Sequence, residues 1–206
     1  MMVHGFLQAG GGSTRFGSDK ALVNVAGKTM LQRTGELLAA TCHDVTVVAP
    51  AGKYGDASWP VLADRWPGEG PLGGILSALL HLNNSSGADG DSAALILSCD
   101  MPFLTKEFLL YLCERAACTG ALIVAPQSSG GLEPLCACWN ARCAGAVQSA
   151  FDAGVRKVTE AMKRLPMEVL DESIWKRFDN KNRLFWNMNT PADYDEARRI
   201  LEAPEA

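Results

Sequence analysis

Thirteen residues near the start of the chain, Gln8 to Lys20, carry the densest chemical signal: Gln-Ala-Gly-Gly-Gly-Ser-Thr-Arg-Phe-Gly-Ser-Asp-Lys. Three consecutive glycines remove every Cβ just where an apolar run, Val3 to Leu7, comes to an end. Backbone N–H groups in such a turn can close on a chain of phosphates, and glycine permits the left-handed conformations this requires. Arg15 and Lys20 add fixed positive charge immediately beyond, so the loop suits a triphosphate. A second glycine cluster, Gly68-Glu69-Gly70-Pro71-Leu72-Gly73-Gly74, precedes the apolar segment Ile75 to Leu82, which has a helical pattern. The N-terminal N–H groups of such a helix would point into the glycines. The third feature is Asp100. It follows Ala93 to Ser98, the most apolar run of the chain, in the sequence Cys99-Asp100-Met101-Pro102. A carboxylate at the carboxyl end of a central strand stands where open α/β sheets bind ligands. Beside a triphosphate its natural role is to hold Mg²⁺, a hard cation that takes carboxylate and phosphate oxygens.

Two other phosphate loops are excluded by spacing. The dinucleotide pattern G-x-G-x-x-G fails at Arg15, and no acid closes the second strand, where Ala49 and Pro50 stand. The Walker pattern fails because Leu22, not glycine, lies five residues before Gly27. Gly27-Lys28 reads instead as a turn opening a helix. No Ser/His/Asp or Cys/His set is evident, and His4, His43 and His81 stand outside any motif.

The elements that must position these groups alternate strand with helix. Strands are expected at about Val3 to Leu7, Val45 to Val48, Pro60 to Ala63, Ala93 to Ser98 and Gly120 to Pro126. A turn and strand follow within Gly131 to Trp139. Helices are expected at Thr29 to Ala40, Ile75 to Leu82, a segment capped by Thr105, Ala141 to Ala153 and Val155 to Arg164. Thr190 and Pro191 open the last helix, Ala192 to Leu201. Arg156, Lys157, Lys163 and Arg164 would give the helix over 155–164 a basic face. Asn83 to Ser92 reads as a surface loop, and Asp171 to Arg183 is polar and unassigned. Such alternation describes an α/β fold with a mostly parallel sheet covered on both faces.

The chain has 206 residues, 48% hydrophobic, and a net charge of −4. That size suits one domain with a sizeable core. Without a basic block, nucleic acid is not an expected partner. No apolar run approaches the ~20 residues of a membrane span, and the N-terminus lacks a signal-peptide pattern. The seven cysteines, at 42, 99, 113, 118, 136, 138 and 143, show no paired C-x-x-C spacing. They read as reduced core thiols of a cytoplasmic protein rather than zinc ligands.

Taken together, the blocks resemble the molybdenum cofactor guanylyltransferases, within the nucleotidyltransferases of the A-G-G-x-S-x-R-x-G-x-D-K type. The matching residues are Ala9 to Lys20, Gly70-Pro71-Leu72-Gly73-Gly74, Cys99-Asp100-Met101-Pro102, Glu133-Pro134-Leu135 and Asn189-Thr190-Pro191-Ala192-Asp193. They occur in family order from about Val3 to Ala197. The resemblance implies a Rossmann-like three-layer sandwich and a single nucleotidyltransferase domain over 1–206. It implies transfer of GMP from GTP to the terminal phosphate of a molybdopterin-type cofactor, with Mg²⁺ as cofactor and pyrophosphate as by-product. By matching position, Gln8, Ala9 and Gly10 would hold guanine and ribose, within a nucleotide loop that includes Gly11 and Gly12. Gly74 belongs to the second nucleotide-side glycine block. Lys20 and Arg15 would contact the triphosphate, Asp64 the nucleoside, and Asp100 the metal. Asn187 and Asn189 would lie near the pterin phosphate or the metal, and Arg156 and Lys157 would face the pterin. Cofactor-insertion or molybdoenzyme proteins are the partners it implies. The sequence departs from the family at Gln8, where leucine is usual, and at Ala49, near which some members carry an asparagine on the guanine side. Alternatives are the same chemistry with CTP on molybdopterin or an NTP on a sugar phosphate, and a nucleotide-binding module without turnover.

Overall fold

Val3 to Leu7 does form a strand, and the sheet is built around it. The computed structural model describes residues 1–10, 19–85, 92–179 and 181–203. The first strand, β1 (Met2–Gln8), is flanked on one side by β4 (Val45–Ala49) and on the other by β6 (Ser92–Ser98), both parallel to it. Beyond β4 lies the short β5 (Val61–Ala63), again parallel. Beyond β6 lies β9 (Cys136–Asn140), which runs antiparallel to β6 and to the next strand, β7 (Ile123–Ser128). The strand β10 (Met167–Leu170) closes that edge, parallel to β7. The order is therefore β10-β7-β9-β6-β1-β4-β5, with β8 (Gly131–Leu132) paired to β7 in a hairpin. The α/β expectation with a mostly parallel sheet holds, β9 being the antiparallel member of the central path.

Alternating side chains divide the sheet's two faces. Leu7, Val47, Leu95, Leu97 and Cys138 enter one core, while Phe6, Val48, Ala94, Ile96 and Trp139 enter the other. Such alternation follows from the two-residue period of a strand. Helices α1 (Met30–Ala39) and α3 (Lys106–Cys118) cover the first face through Leu31, Leu38, Phe108 and Leu112. Helices α2 (Pro71–Ser85), α4 (Ala144–Asp152) and α5 (Val158–Met162) cover the second through Leu72, Leu76, Val147 and Met162. Three layers result. The helix starts obey the side-chain signals: Thr29 makes a reciprocal capping box with Gln32, and Thr105 accepts from Phe108 N.

Several boundaries differ from expectation. Helix α2 starts at Pro71 rather than Ile75, because Pro71 can occupy a first-turn position and Gly73 and Gly74 fit inside the helix. It also runs on to Ser85, so the expected loop Asn83 to Ser92 begins as helix; residues 86–91 lie outside the described residues. Gly27, with φ 80°, and Ala26, with φ 50°, form the turn of a small hairpin, β2 (Asn24–Val25) with β3 (Lys28–Thr29), before α1. Strand β7 begins at Ile123, three residues later than expected.

The expected helix over 155–164 is only Val158–Met162. Gly154, at φ 86°, stops α4 with Val155 N bonded to Ala150 O at 3.0 Å. Pro166 disfavours helix at Leu165. Arg156, Lys157, Lys163 and Arg164 thus lie outside the helix and form no basic face on it. The unassigned stretch 171–183 contains α6 (Glu172–Trp175), capped by Asp171, and a 3₁₀ turn, Lys176–Phe178. The final helix, α7 (Pro191–Glu202), has Thr190 as cap in a second capping box, with Asp193. Among the described residues no helix is long and apolar enough to cross a membrane. Cysteines 99, 136, 138 and 143 are buried and Cys42 and Cys113 partly so, but Cys118 is exposed and is not a core thiol.

Candidate active site

The chain leaves β1 to one side, through α1 to β4 and β5, then crosses back by α2 to β6 on the other side. This reversal of direction opens a crevice at the carboxyl ends of β1 and β6. A cavity of about 380 Å³ lies there. Gln8, Ala9 and Gly10 enter it from β1, Lys20 from the turn after the first loop, Asp64 from the end of β5, and Asp100 from the end of β6. Six of the residues singled out in the sequence therefore line one space. Gly11, Gly12 and Arg15 lie outside the described residues.

Each carboxylate is oriented by a neighbour. Asp64 Oδ1 accepts from Ser77 Oγ at 2.9 Å and Trp66 N at 3.0 Å, so α2 holds it through Ser77. Asp100 Oδ1 accepts from Ser98 Oγ at 2.6 Å. Its carbonyl accepts from Met188 N at 2.8 Å, which pins the segment Asn187 to Asn189 beside the end of β6. Lys20 Nζ donates to Asn189 Oδ1 at 3.0 Å, joining the first loop to the C-terminal segment. Asn187 Nδ2 makes a local bond to Phe185 O at 3.3 Å. Gly74 stands behind the cavity wall: a Cβ there would overlap the Gln8 carboxamide. Gly10, at φ 118°, abuts the Pro50 ring so closely that a Cβ would collide with it.

Arg156 is at the rim. Its Nε pairs with Glu69 at 2.6 Å, on the glycine loop whose Gly68 and Gly70 line the cavity, and its guanidinium stacks 3.8 Å over Phe151. Lys157 precedes α5 and is exposed.

Sequence reasoning gave no role to Asp19. It caps the 3₁₀ turn Lys20–Leu22 through Ala21 N, and accepts from Tyr54 OH at 2.7 Å and Lys53 Nζ at 3.1 Å. Burial works to raise its pKa, but the bonds from Tyr54, Lys53 and Ala21 outweigh it and hold the carboxyl below its ordinary value. The Tyr54 phenol is pushed the other way, first by burial and then by Asp19. Only the Asp-Lys adjacency hinted at such an anchor, since Asp is a good cap. Glu133 was also without a role. The ladder pairs Leu97 with Cys136, and Ser98 N still bonds Leu135 O at 3.0 Å, which brings Glu133 alongside Asp100. Glu133 is bonded to Ser128 Oγ at 2.6 Å, yet burial, with help from Asp100, raises its pKa.

The donor set suits a divalent cation shared with a substrate. Among the described residues no group of three or more His, Cys, Asp or Glu can hold a metal alone. Asp100 offers carboxylate oxygen at the cavity wall, which matches a cation held by one or two carboxylates plus substrate phosphates.

The family description "MobA-like NTP transferase domain" matches residues 5–166. The chain belongs to this family. Nucleotidyl transfer is accordingly its class of reaction, and members of the family generally use a divalent metal. A protein of Chloroflexus aggregans described as a probable molybdenum cofactor guanylyltransferase is 32% identical over 200 residues, covering 94% of this chain and 92% of its own. A Deinococcus radiodurans protein with the same description is 34% identical, covering 92% and 91%. The crystal structure of molybdopterin-guanine dinucleotide biosynthesis protein A from Archaeoglobus fulgidus superposes with a TM-score of 0.81. It covers 96% of this chain and 97% of its own, at 24% identity, and it bears on the fold.

Proposed function

We propose that this MobA-like protein transfers GMP from GTP to the terminal phosphate of a molybdopterin-type cofactor, as one nucleotidyltransferase domain over residues 1–206 in the cytoplasm. The observation that carries the proposal is the meeting of Lys20, Asp64 and Asp100 in one cavity at the switch point of the sheet. A phosphate oxygen of the acceptor attacks the α-phosphorus of GTP. The α–β anhydride bond breaks, and pyrophosphate leaves with the electron pair. The attacking phosphate is already an anion, so the reaction needs alignment and charge neutralisation more than a strong base. That matches a cavity whose described lining brings Lys20 together with the oriented carboxylates of Asp64 and Asp100.

Lys20 and Arg15 bind the triphosphate, with the backbone of Ala9 to Gly12 around it. Asp64 and Gln8 hold the nucleoside against the start of α2, which Gly74 allows Gln8 to approach. Asp100 is the protein ligand for Mg²⁺, which when bound neutralises the triphosphate and polarises the α-phosphate. Asn189, through its bond to Lys20, joins the acceptor side to the triphosphate side, and Asn187 lies next to it. Arg156 and Lys157 stand at the rim for the anionic pterin substrate, Arg156 by leaving Glu69. Unpaired cysteines fit a reducing compartment. Proteins that insert the finished cofactor into molybdoenzymes are its proposed partners.

Pyrophosphate release tests the proposal. Purified protein, Mg²⁺ and molybdenum-loaded molybdopterin should release pyrophosphate with GTP and form the guanine dinucleotide. Greater release with CTP would replace the guanylyl reading by the cytidylyl one. No release with any nucleotide would favour a binding module.

A further inference from the structure

We infer that Glu69 is a positioning residue for the nucleotide: its ion pair with Arg156 holds the glycine-flanked turn Pro67 to Gly70 in place as one wall of the cavity. The inference rests on the reading above that this cavity receives the nucleotide, and it adds a residue which that reading left without a role. Asp64, Pro67, Gly68, Gly70 and Pro71 line the cavity along this wall, and Glu69 does not. The Glu69 side chain reaches across the rim instead, where Arg156 Nε donates to its Oε2 at 2.6 Å.

The two ends of the wall are fixed by other contacts. At its start, Trp66 N donates to Asp64 Oδ1 and Arg65 N to Ser77 Oγ, both at 3.0 Å. At its end, Pro71 begins α2 and its carbonyl accepts from Gln8 Nε2 at 3.0 Å. Between these ends, residues 67–70 are all exposed. Gly68 and Gly70 have φ of 89° and 85°, and a Cβ on either would meet nothing within 4 Å. These glycines therefore serve the conformation of the turn, and no packing wedges it at either one. Its backbone bonds, Glu69 N to Trp66 O at 3.1 Å and Gly73 N to Gly70 O at 3.2 Å, close the turn on its own flanks. Among the described residues, the Glu69–Arg156 pair is the hydrogen-bonded tether from residues 67–70 to a distant part of the chain.

Arg156 is suited to be the fixed end of that tether. Its Nη1 donates to the carbonyls of Phe151, in the last turn of α4, at 2.7 Å and of Val155 at 3.0 Å, and its guanidinium lies 3.8 Å over the Phe151 ring. The Trp66 ring meets the same Phe151 ring at 5.1 Å, so the base of the wall and its tip are referred to one corner of the fold. Arg156 and Glu69 keep 41% and 50% of their side-chain surface exposed, so their pair adds little to global stability. Its effect falls on the turn. Without the tether the turn spreads over more positions, and nucleotide affinity falls by the fraction that stays competent to bind.

The test is calorimetric binding of GTP and CTP with Mg²⁺ to the full chain. The acceptor is left out, so that any part Arg156 takes toward it does not enter. Glu69→Gln and Glu69→Ala remove the same charge, but only the glutamine leaves an acceptor for the Arg156 Nε–H. Glu69→Ala should weaken GTP by about fivefold, the scale of an exposed pair, and Glu69→Gln by no more than about twofold. Arg156→Ala should match Glu69→Ala, and the double variant should lose no more than either alone, because one tether is cut each time. In turnover, Glu69→Ala should raise KM for GTP and leave kcat unchanged. Melting temperatures should stay within about 4 °C of wild type. Equal binding by Glu69→Gln and Glu69→Ala overturns the inference. So does GTP affinity that rises in Glu69→Ala and falls in Arg156→Ala, which is the sign of a charge effect, and so does wild-type affinity in the double variant. Each of these leaves the guanylyl reading standing. Wild-type protein that binds CTP above GTP removes that reading, and the same pair of Glu69 variants measured with CTP then decides the role of Glu69. Wild-type protein that binds neither nucleotide overturns both.

Discussion

Lys20 and Asp19 are neighbours in sequence with opposite tasks. Lys20 reaches toward Asn189 and the cavity, while Asp19 turns back to Tyr54, Lys53 and its own helical turn. Lys20→Ala should cut turnover at least tenfold, the effect of losing about 1.4 kcal/mol of transition-state stabilisation, without unfolding the protein. Steady-state kinetics at near-normal rate in a folded variant would remove Lys20 from the site. Asp19 makes a different prediction. Its folded pKa is depressed, so the stability it contributes is present above the ordinary carboxylate pKa and fades as pH falls below it. The raised pKa of Tyr54 keeps its share in place until pH exceeds the ordinary tyrosine value. Tyr54→Phe should therefore destabilise the protein by about 1 kcal/mol at pH 7. The deficit should shrink in melts below about pH 4 and above about pH 10. A deficit constant from pH 3 to pH 11 would show that the Asp19–Tyr54 bond is not its source. At this scale Asp100 was legible from the apolar strand before it, Lys20 from the glycine-rich loop it closes and Asp64 through the family resemblance, and all three line the cavity. Asp19, Ser77 and Ser98 were not, because an anchoring hydrogen bond depends on what another element brings within reach.

Each element delivers one part of the site, and its ends matter more than its middle. Gly10 continues from β1 at φ 118° with the rigid Pro50 ring against it, so two independent constraints exclude a side chain. Gly10→Ala should cost about 1–3 kcal/mol and abolish GTP binding; calorimetry showing normal binding would contradict the role of this turn. Helix α7 acts through its cap. Asp193 Oδ2 accepts from Asn189 N at 2.9 Å and Thr190 N at 2.8 Å, so the capping box also fixes the backbone that aims Asn189 at Lys20. Thr190→Ala should lose about 1 kcal/mol of stability and lower turnover more than GTP affinity. If turnover is unchanged, the cap serves the helix alone. Capping signals and the period-two strands were readable locally, which is why α1, α3, α7 and β6 were expected nearly where they lie. The glycines at 73 and 74 misled, since they look like loop yet sit in α2, Gly74 against Gln8 and Gly73 against Trp66. The strand β10, with Leu170 alone buried, carries too little periodicity to be seen, and the helix expected over 155–164 shrinks to the short α5 between Gly154 and Pro166.

The whole molecule places charge on both sides of one switch point. Asp64 stands at the end of β5 and Asp100 at the end of β6, with Gln8 between them on β1, and Lys20 with the C-terminal segment adds to the same cavity. The three-layer fold was evident from alternation alone, but the antiparallel β9 was not, because a hairpin and a crossover can share the same apolar pattern. Since the proposed site draws on strands from both sides of the switch point, GTP with Mg²⁺ at a hundred times Kd should stabilise the protein by about 2.7 kcal/mol. That corresponds to a Tm rise of roughly 5–10 °C for a domain of this size. Asp100→Asn should keep most of its basal Tm but lose the Mg²⁺-dependent part of the rise. The most direct check of the central claim is a crystal structure with a non-hydrolysable GTP analogue and Mn²⁺, the metal located by its anomalous signal. The account predicts the Mn²⁺ peak bound to Asp100 and the triphosphate, with guanine beside Gln8 and Asp64. A metal bound away from Asp100, or a triphosphate outside the cavity between β1 and β6, would contradict it.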